Sequence, residues 1–126
     1  MEDDKYKFKK EFILRLIRFS ISIIKFTEEL RKDGISYSIV DQLIRCSSSV
    51  GANVVEAKSS HSQKDYIKYF EIALKSANET KYWLAIILEL KPEFKIKTSV
   101  LINENIEIAN IIASSVITMK NKRKDK

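Results

Sequence analysis

Apolar residues recur along most of the chain at intervals of three and four, the period of helices that bury one face. Phe12, Ile13, Leu16, Ile17, Ile23, Ile24 and Leu30 keep this spacing and predict a first helix over about residues 6–32. Asp33-Gly34 stops it, because glycine accepts the left-handed conformation of a helix C-cap. A second helix is predicted over about 37–59, where Ser38 and Asp41 approximate a capping box with Asp in place of Glu. Its core stripe reads Ile39, Leu43, Cys46, Val50, Val54 and Ala57. A second face carries Val40, Ile44, Ser48, Gly51, Ala52 and Val55, all small or apolar. Only a narrow strip, Gln42, Arg45, Ser49, Asn53 and Glu56, is polar. A helix that is apolar or small on two sides fits the centre of an oligomer better than the surface of a monomer.

A third helix is predicted over about 63–91, opened by Ser62 with Asp65 and ended by Pro92. Tyr66, Phe70, Ala73, Ala77, Thr80, Leu84 and Ile87 form its inner stripe, leaving Tyr69, Ile72, Trp83 and Ile86 outside. A fourth helix, about 98–120, carries Leu101, Ile108, Ala109, Ile112, Val116 and Met119, a stripe weakened by Asn105. Four amphipathic helices on short turns predict an all-α, up-down-up-down four-helix bundle, and the two apolar or small faces of the second helix predict that it assembles into an oligomer. One domain over 1–119 and a basic tail over 120–126 are expected. The expected oligomer interface comprises Val40, Ile44, Ser48, Gly51, Val55 and Trp83.

Composition narrows the chemistry. With 126 residues and 44% hydrophobic content, the chain can bury a real core. Its 2 Gly leave no dinucleotide fingerprint or phosphate-binding loop, and its single Cys and single His exclude a disulfide scaffold and the usual zinc sites. No cofactor or metal is expected. The net charge of +6 invites a nucleic-acid reading, but Lys120 to Lys126 alone hold +4, while residues 1–11 balance four Lys with four acids. A basic tail can bind phosphate backbones through Lys120, Lys122, Arg123 and Lys124, or simply be a solvated helix end. The 18 Lys against 5 Arg weaken the first reading, because Arg is favoured for bidentate phosphate contacts. No signal peptide or uninterrupted membrane-length apolar run is visible, so a cytoplasmic protein without membrane partners is expected.

The segment Gln42-Leu-Ile-Arg45-Cys-Ser-Ser-Ser49-Val-Gly-Ala-Asn53-Val-Val-Glu56-Ala57, followed by Ala77-Asn78-Glu79-Thr80-Lys-Tyr82-Trp83-Leu84, resembles a known pattern. It is similar to the four helix bundle protein family, also called the 23S rRNA-intervening-sequence or S23 family. Ala57 stands where many members have Gly. The resemblance spans about residues 12–119 and implies a bundle that assembles as a ring, typically a homopentamer. It implies no activity, since the family is named for where its genes lie. A related accessory protein of diversity-generating retroelements is a basic pentamer that binds a reverse transcriptase and nucleic acid.

The residues that carry the resemblance invite a polar site built from Gln42, Arg45, Asn53, Glu56 and Glu79. Arg45 and Glu56 are eleven residues apart, about 20° around a helix, and too distant along it to touch. Arg45 or Asn53 is therefore expected to meet Glu79 or Glu56 across a helix pair or a subunit boundary. The structural alternative to a ligand pocket is a polar network that sets helix register. Ser47, Ser48 and Ser49 lack a histidine base, and His61 sits alone in a turn. The leading expectation is a non-enzymatic oligomeric bundle acting as a binding or scaffold module. RNA binding is the alternative, and a hydrolase built on Glu56 and Glu79 a distant third.

Overall fold

The computed structural model describes residues 2–124, with side chains from 3 to 122. Four helices follow one another: α1 (Glu2–Lys32), α2 (Tyr37–Ala57), α3 (Gln63–Leu90) and α4 (Lys95–Lys124), with a 3-10 turn at Pro92–Phe94 before α4. They pack as a bundle in chain order around a square, with α4 returning to α1. Cross-helix pairs fix the direction of the neighbours. Arg15 meets Glu104 and Glu29 meets Lys97, so α1 and α4 run antiparallel. Asn105 reaches Ala77 while Lys120 reaches Glu71, so α3 and α4 do too.

The core is built from a three-four seam on every helix. It reads Phe12, Leu16, Phe19, Ile23, Phe26 and Leu30 on α1, and Val40, Leu43, Ser47, Val50, Val54 and Ala57 on α2. On α3 it reads Phe70, Ala73, Ala77, Thr80, Leu84 and Ile87, and on α4 Thr98, Leu101, Asn105, Ile108, Ile112 and Val116. This is the spacing that lets side chains of neighbouring antiparallel helices interdigitate.

Three expectations need correcting here. Ile17 and Ile24 lie outside the α1 core at 50% and 44% exposure, and Phe19 and Phe26 take their place. Two overlapping seams exist on this helix, and the one with the bulkier phenylalanines fills the interior. Val40, assigned to the oligomer face, is buried in the chain's own core at 2% exposure. The α2 core seam runs through residue 40, one position on from Ile39, which is only partly buried. Asn105 occupies the α4 seam rather than interrupting it, fully buried and donating to the Ala77 carbonyl at 2.9 Å.

The turns follow local chemistry. Gly34 has φ +84°, and the Gly34 and Ile35 amides bond back to Arg31 and Leu30 oxygens at 3.0 and 3.1 Å. That double closure is a Schellman cap, completed by the buried pair Leu30 and Ile35. The Ser62 hydroxyl accepts the Asp65 amide at 3.1 Å, as a capping residue should. Ser38 plays no such part: the residue before α2 is Ser36, without a side-chain cap, and Asp41 instead accepts from Arg45. Helix α4 continues unbroken across residue 120, so the basic segment begins as helix rather than as a separate tail. One window within Pro92–Lys122, with mean hydropathy 1.3, meets the length and composition of a membrane span. In the bundle that helix packs its seam, Thr98 and Asn105 included, against its neighbours.

Candidate functional site

The seam between α1 and α4 is closed by charge. Arg15 donates to both carboxylate oxygens of Glu104, at 2.8 and 2.7 Å, and to Glu107 at 3.1 Å. The hydrogen bonds to Glu104 hold the Arg15 guanidinium above its ordinary pKa and the Glu104 carboxyl below its own. Lys97 clasps Glu29 at 2.8 Å lower on the same seam. At that end Lys91 joins the two turns, bonding the Asp33 carbonyl and carboxylate, and this contact raises its pKa.

Past Arg15, toward the start of α1, the seam opens into a cavity of about 950 Å³. Phe8, Phe12, Tyr66 and Phe70 line it, with Ile111 and Met119 from α4. The Phe8 and Phe12 rings stack at 6.4 Å and the Tyr66 and Phe70 rings at 4.9 Å. Burial pushes the Tyr66 phenol up. Lys5, Lys9, Lys58, Lys122 and His61 also line the space, and among the described residues no acidic one does. No sequence motif marks this cluster. Its lysines come from the start of α1, the α2–α3 turn and the end of α4, and no local pattern links them.

A second, apolar groove of about 430 Å³ lies between α1 and α2. Ile17, Ile21, Ser48, Gly51, Ala52 and Val55 line it, so three of the expected interface residues converge there. Leu14, Ile17, Ile21 and Ile24 form a second three-four seam on α1, each 43–50% exposed. Gly51 also faces α1 of the same chain. A Cβ at that position would lie 3.4 Å from Leu16 Cβ. Ile44 is partly buried against the core. Trp83 is too, and its indole N–H is buried with no hydrogen-bond partner among the described residues.

The residues proposed as a polar site lie on the outside of α2 and α3, and the structure brings few of them together. Arg45 bonds Asp41 on its own helix at 2.9 Å. Asn53 donates to Ser49 carbonyl and hydroxyl at 2.8 and 2.9 Å, and Ser76 of α3 donates to the same hydroxyl at 3.0 Å. Gln42, Glu56 and Glu79 are exposed and have no ion pair or side-chain hydrogen bond with a described residue. Within one chain, then, Arg45 and Asn53 do not meet Glu56 or Glu79. The hydroxyls of Ser47 and Ser48 are bonded to the Ile44 carbonyl. Cys46 is buried, and desolvation raises its thiol pKa. Among the described residues no cluster of His, Cys, Asp and Glu could hold a metal ion. Of the basic segment, Lys120 pairs with Glu71 at 3.0 Å and Lys122 lines the cavity. The Arg123 and Lys124 side chains fall outside the described residues.

Residues 10–114 match the profile of the 23S rRNA-intervening sequence protein family. The chain belongs to that family. A solved structure agrees: a protein of unknown function from the S23 ribosomal protein family of Bacteroides thetaiotaomicron superposes with a TM-score of 0.79 at 28% identity. The alignment covers 83% of this chain and 97% of that one, so the four-helix unit is shared nearly whole. No curated protein matches the chain. Both the polar strip and the α1–α2 groove fall inside the matched span. The family match ends at residue 114, short of Lys122 and the basic segment.

Proposed function

We propose that this family member is a non-enzymatic, self-assembling helical bundle that serves as a binding or scaffold module. The observation that carries this is the second seam on α1, Leu14, Ile17, Ile21 and Ile24, beside the Ser48–Val55 side of α2. Two neighbouring helices present apolar side chains at helical spacing outside a core that is already complete. Such a contiguous patch marks an interaction site, and a helix laid along the groove would bury it as the core seams bury one another. The simplest occupant is another copy, and a ring, as the family resemblance implies, buries the same patch on every subunit.

Sedimentation velocity tests it. The wild-type chain should sediment as a multiple of 14.6 kDa at micromolar concentration. Ile17→Glu with Ile21→Glu should sediment as a folded monomer, since both positions lie outside the core. A wild-type monomer would overturn the proposal.

RNA binding has one observation of its own: Lys5, Lys9, Lys58 and Lys122 converge at the end where α4 carries its basic segment. In an assembly these ends repeat, and weak sites gain by multivalency. This reading predicts RNA retention that falls steeply with salt. It fails if retention is absent at low salt or unchanged by removing residues 120–126.

A further inference from the structure

We infer that the cavity between α1 and α4 is a binding site for an amphipathic organic anion: an aliphatic body with a carboxylate head, of the fatty-acid class. The site lies within one chain and does not depend on the assembly proposed above. Its size, about 950 Å³, is at the upper end of the roughly 300–1,000 Å³ of small-molecule pockets, ample for an acyl chain. Its wall is apolar where it is deepest, at Phe12 and Phe70, which are 8% and 6% exposed. Among the described residues its charge is of one sign, with four lysines and no carboxylate lining it. Lysines hold an apolar stem along such a wall while keeping the ammonium at the water boundary. An apolar body below and a single negative head at the rim satisfy both features together.

Three of the lining hydroxyls already have partners: Ser60 and Ser115 donate to the carbonyls of Ala57 and Ile111, and Ser62 caps α3 through the Asp65 amide. Asn110, Ser114 and Thr118 of α4 also line the space, so a nucleotide is the competing occupant that the test separates from an aliphatic anion.

The experiment is calorimetric titration of the intact protein with laurate, with dodecanol as the neutral comparator and adenosine monophosphate as the nucleotide. Laurate should bind one molecule per chain, and dodecanol at least tenfold more weakly. Lys9→Glu with Lys58→Glu, both at exposed positions, should weaken laurate at least tenfold while leaving the far-ultraviolet circular dichroism and thermal midpoint unchanged. Sedimentation of the same variant reports assembly separately, so failure of the pocket and failure of self-assembly are told apart. Absence of laurate binding overturns the inference. So does equal affinity for dodecanol, which would make the cavity merely apolar, or adenosine monophosphate binding in place of laurate.

Discussion

Arg15 and Glu104 show how one residue pair sets the shape of a surface. The bidentate contact pins α1 to α4 just where the cavity begins, on the seam where neighbouring helices approach each other over the fewest positions. Glu104 titrates below its ordinary range because Arg15 bonds its charged form. Its contribution is therefore complete above the unfolded carboxyl value, near pH 4.3, and is lost as pH falls through the lower folded value. Glu104→Gln should cost about 1 kcal/mol at neutral pH, discounted for the part-exposed setting. The gap from wild type should close below about pH 4, as urea midpoints across pH would show. Asn105 is the opposite case, a polar group deep in the core with Nδ2 bonded to Ala77 and Oδ1 unpartnered among the described residues. Asn105→Ala removes that bond and leaves a void, and should cost about 2 kcal/mol in equilibrium unfolding.

On the level of helices, the two glycines predict opposite outcomes. Gly34 sits at φ +84°, where an L side chain is strained whatever the space, so Gly34→Ala should lower stability by about 1 kcal/mol. Gly51 lies inside α2, and an added methyl meets Leu16 Cβ at 3.4 Å, an ordinary contact. Gly51→Ala should therefore raise helix stability by up to about 1 kcal/mol. Thermal unfolding of both variants checks the pair. The helices and their stops were legible in sequence because periodicity, Gly34, Ser62 and Pro92 act locally. The choice between seams was not. On α1 the series through Phe12 and Phe19 and the series through Leu14 and Ile17 are both apolar at helical spacing. Which one turns inward depends on what α2 and α4 present to it.

For the molecule as a whole, the core ends before the basic segment does. Val116 is the last buried position among the described residues of α4, and among these Lys120 makes only an exposed pair with Glu71. Removing residues 120–126 should change folding stability by less than about 0.5 kcal/mol, as denaturant midpoints would record. The same truncation should leave the α1–α2 patch, and hence self-assembly, untouched. Of the sites read in sequence, the Ser48–Val55 side of α2 forms one wall of a groove whose other wall is α1 of the same chain. The polar strip stays on the outside of α2 and α3, with its carboxylates facing solvent.

Helix number, the stops at Gly34 and Pro92, the cap at Ser62 and the all-α class could be read from the residues in order, since each rests on interactions spanning only a few positions, and the family followed from the motif of α2 and α3. The inward seam of α1, the place of Val40 and Asn105 in the core, and the lysine-rimmed cavity could not. Each depends on side chains dozens of residues apart, whose meeting is settled by how four helices pack and not by any stretch of chain.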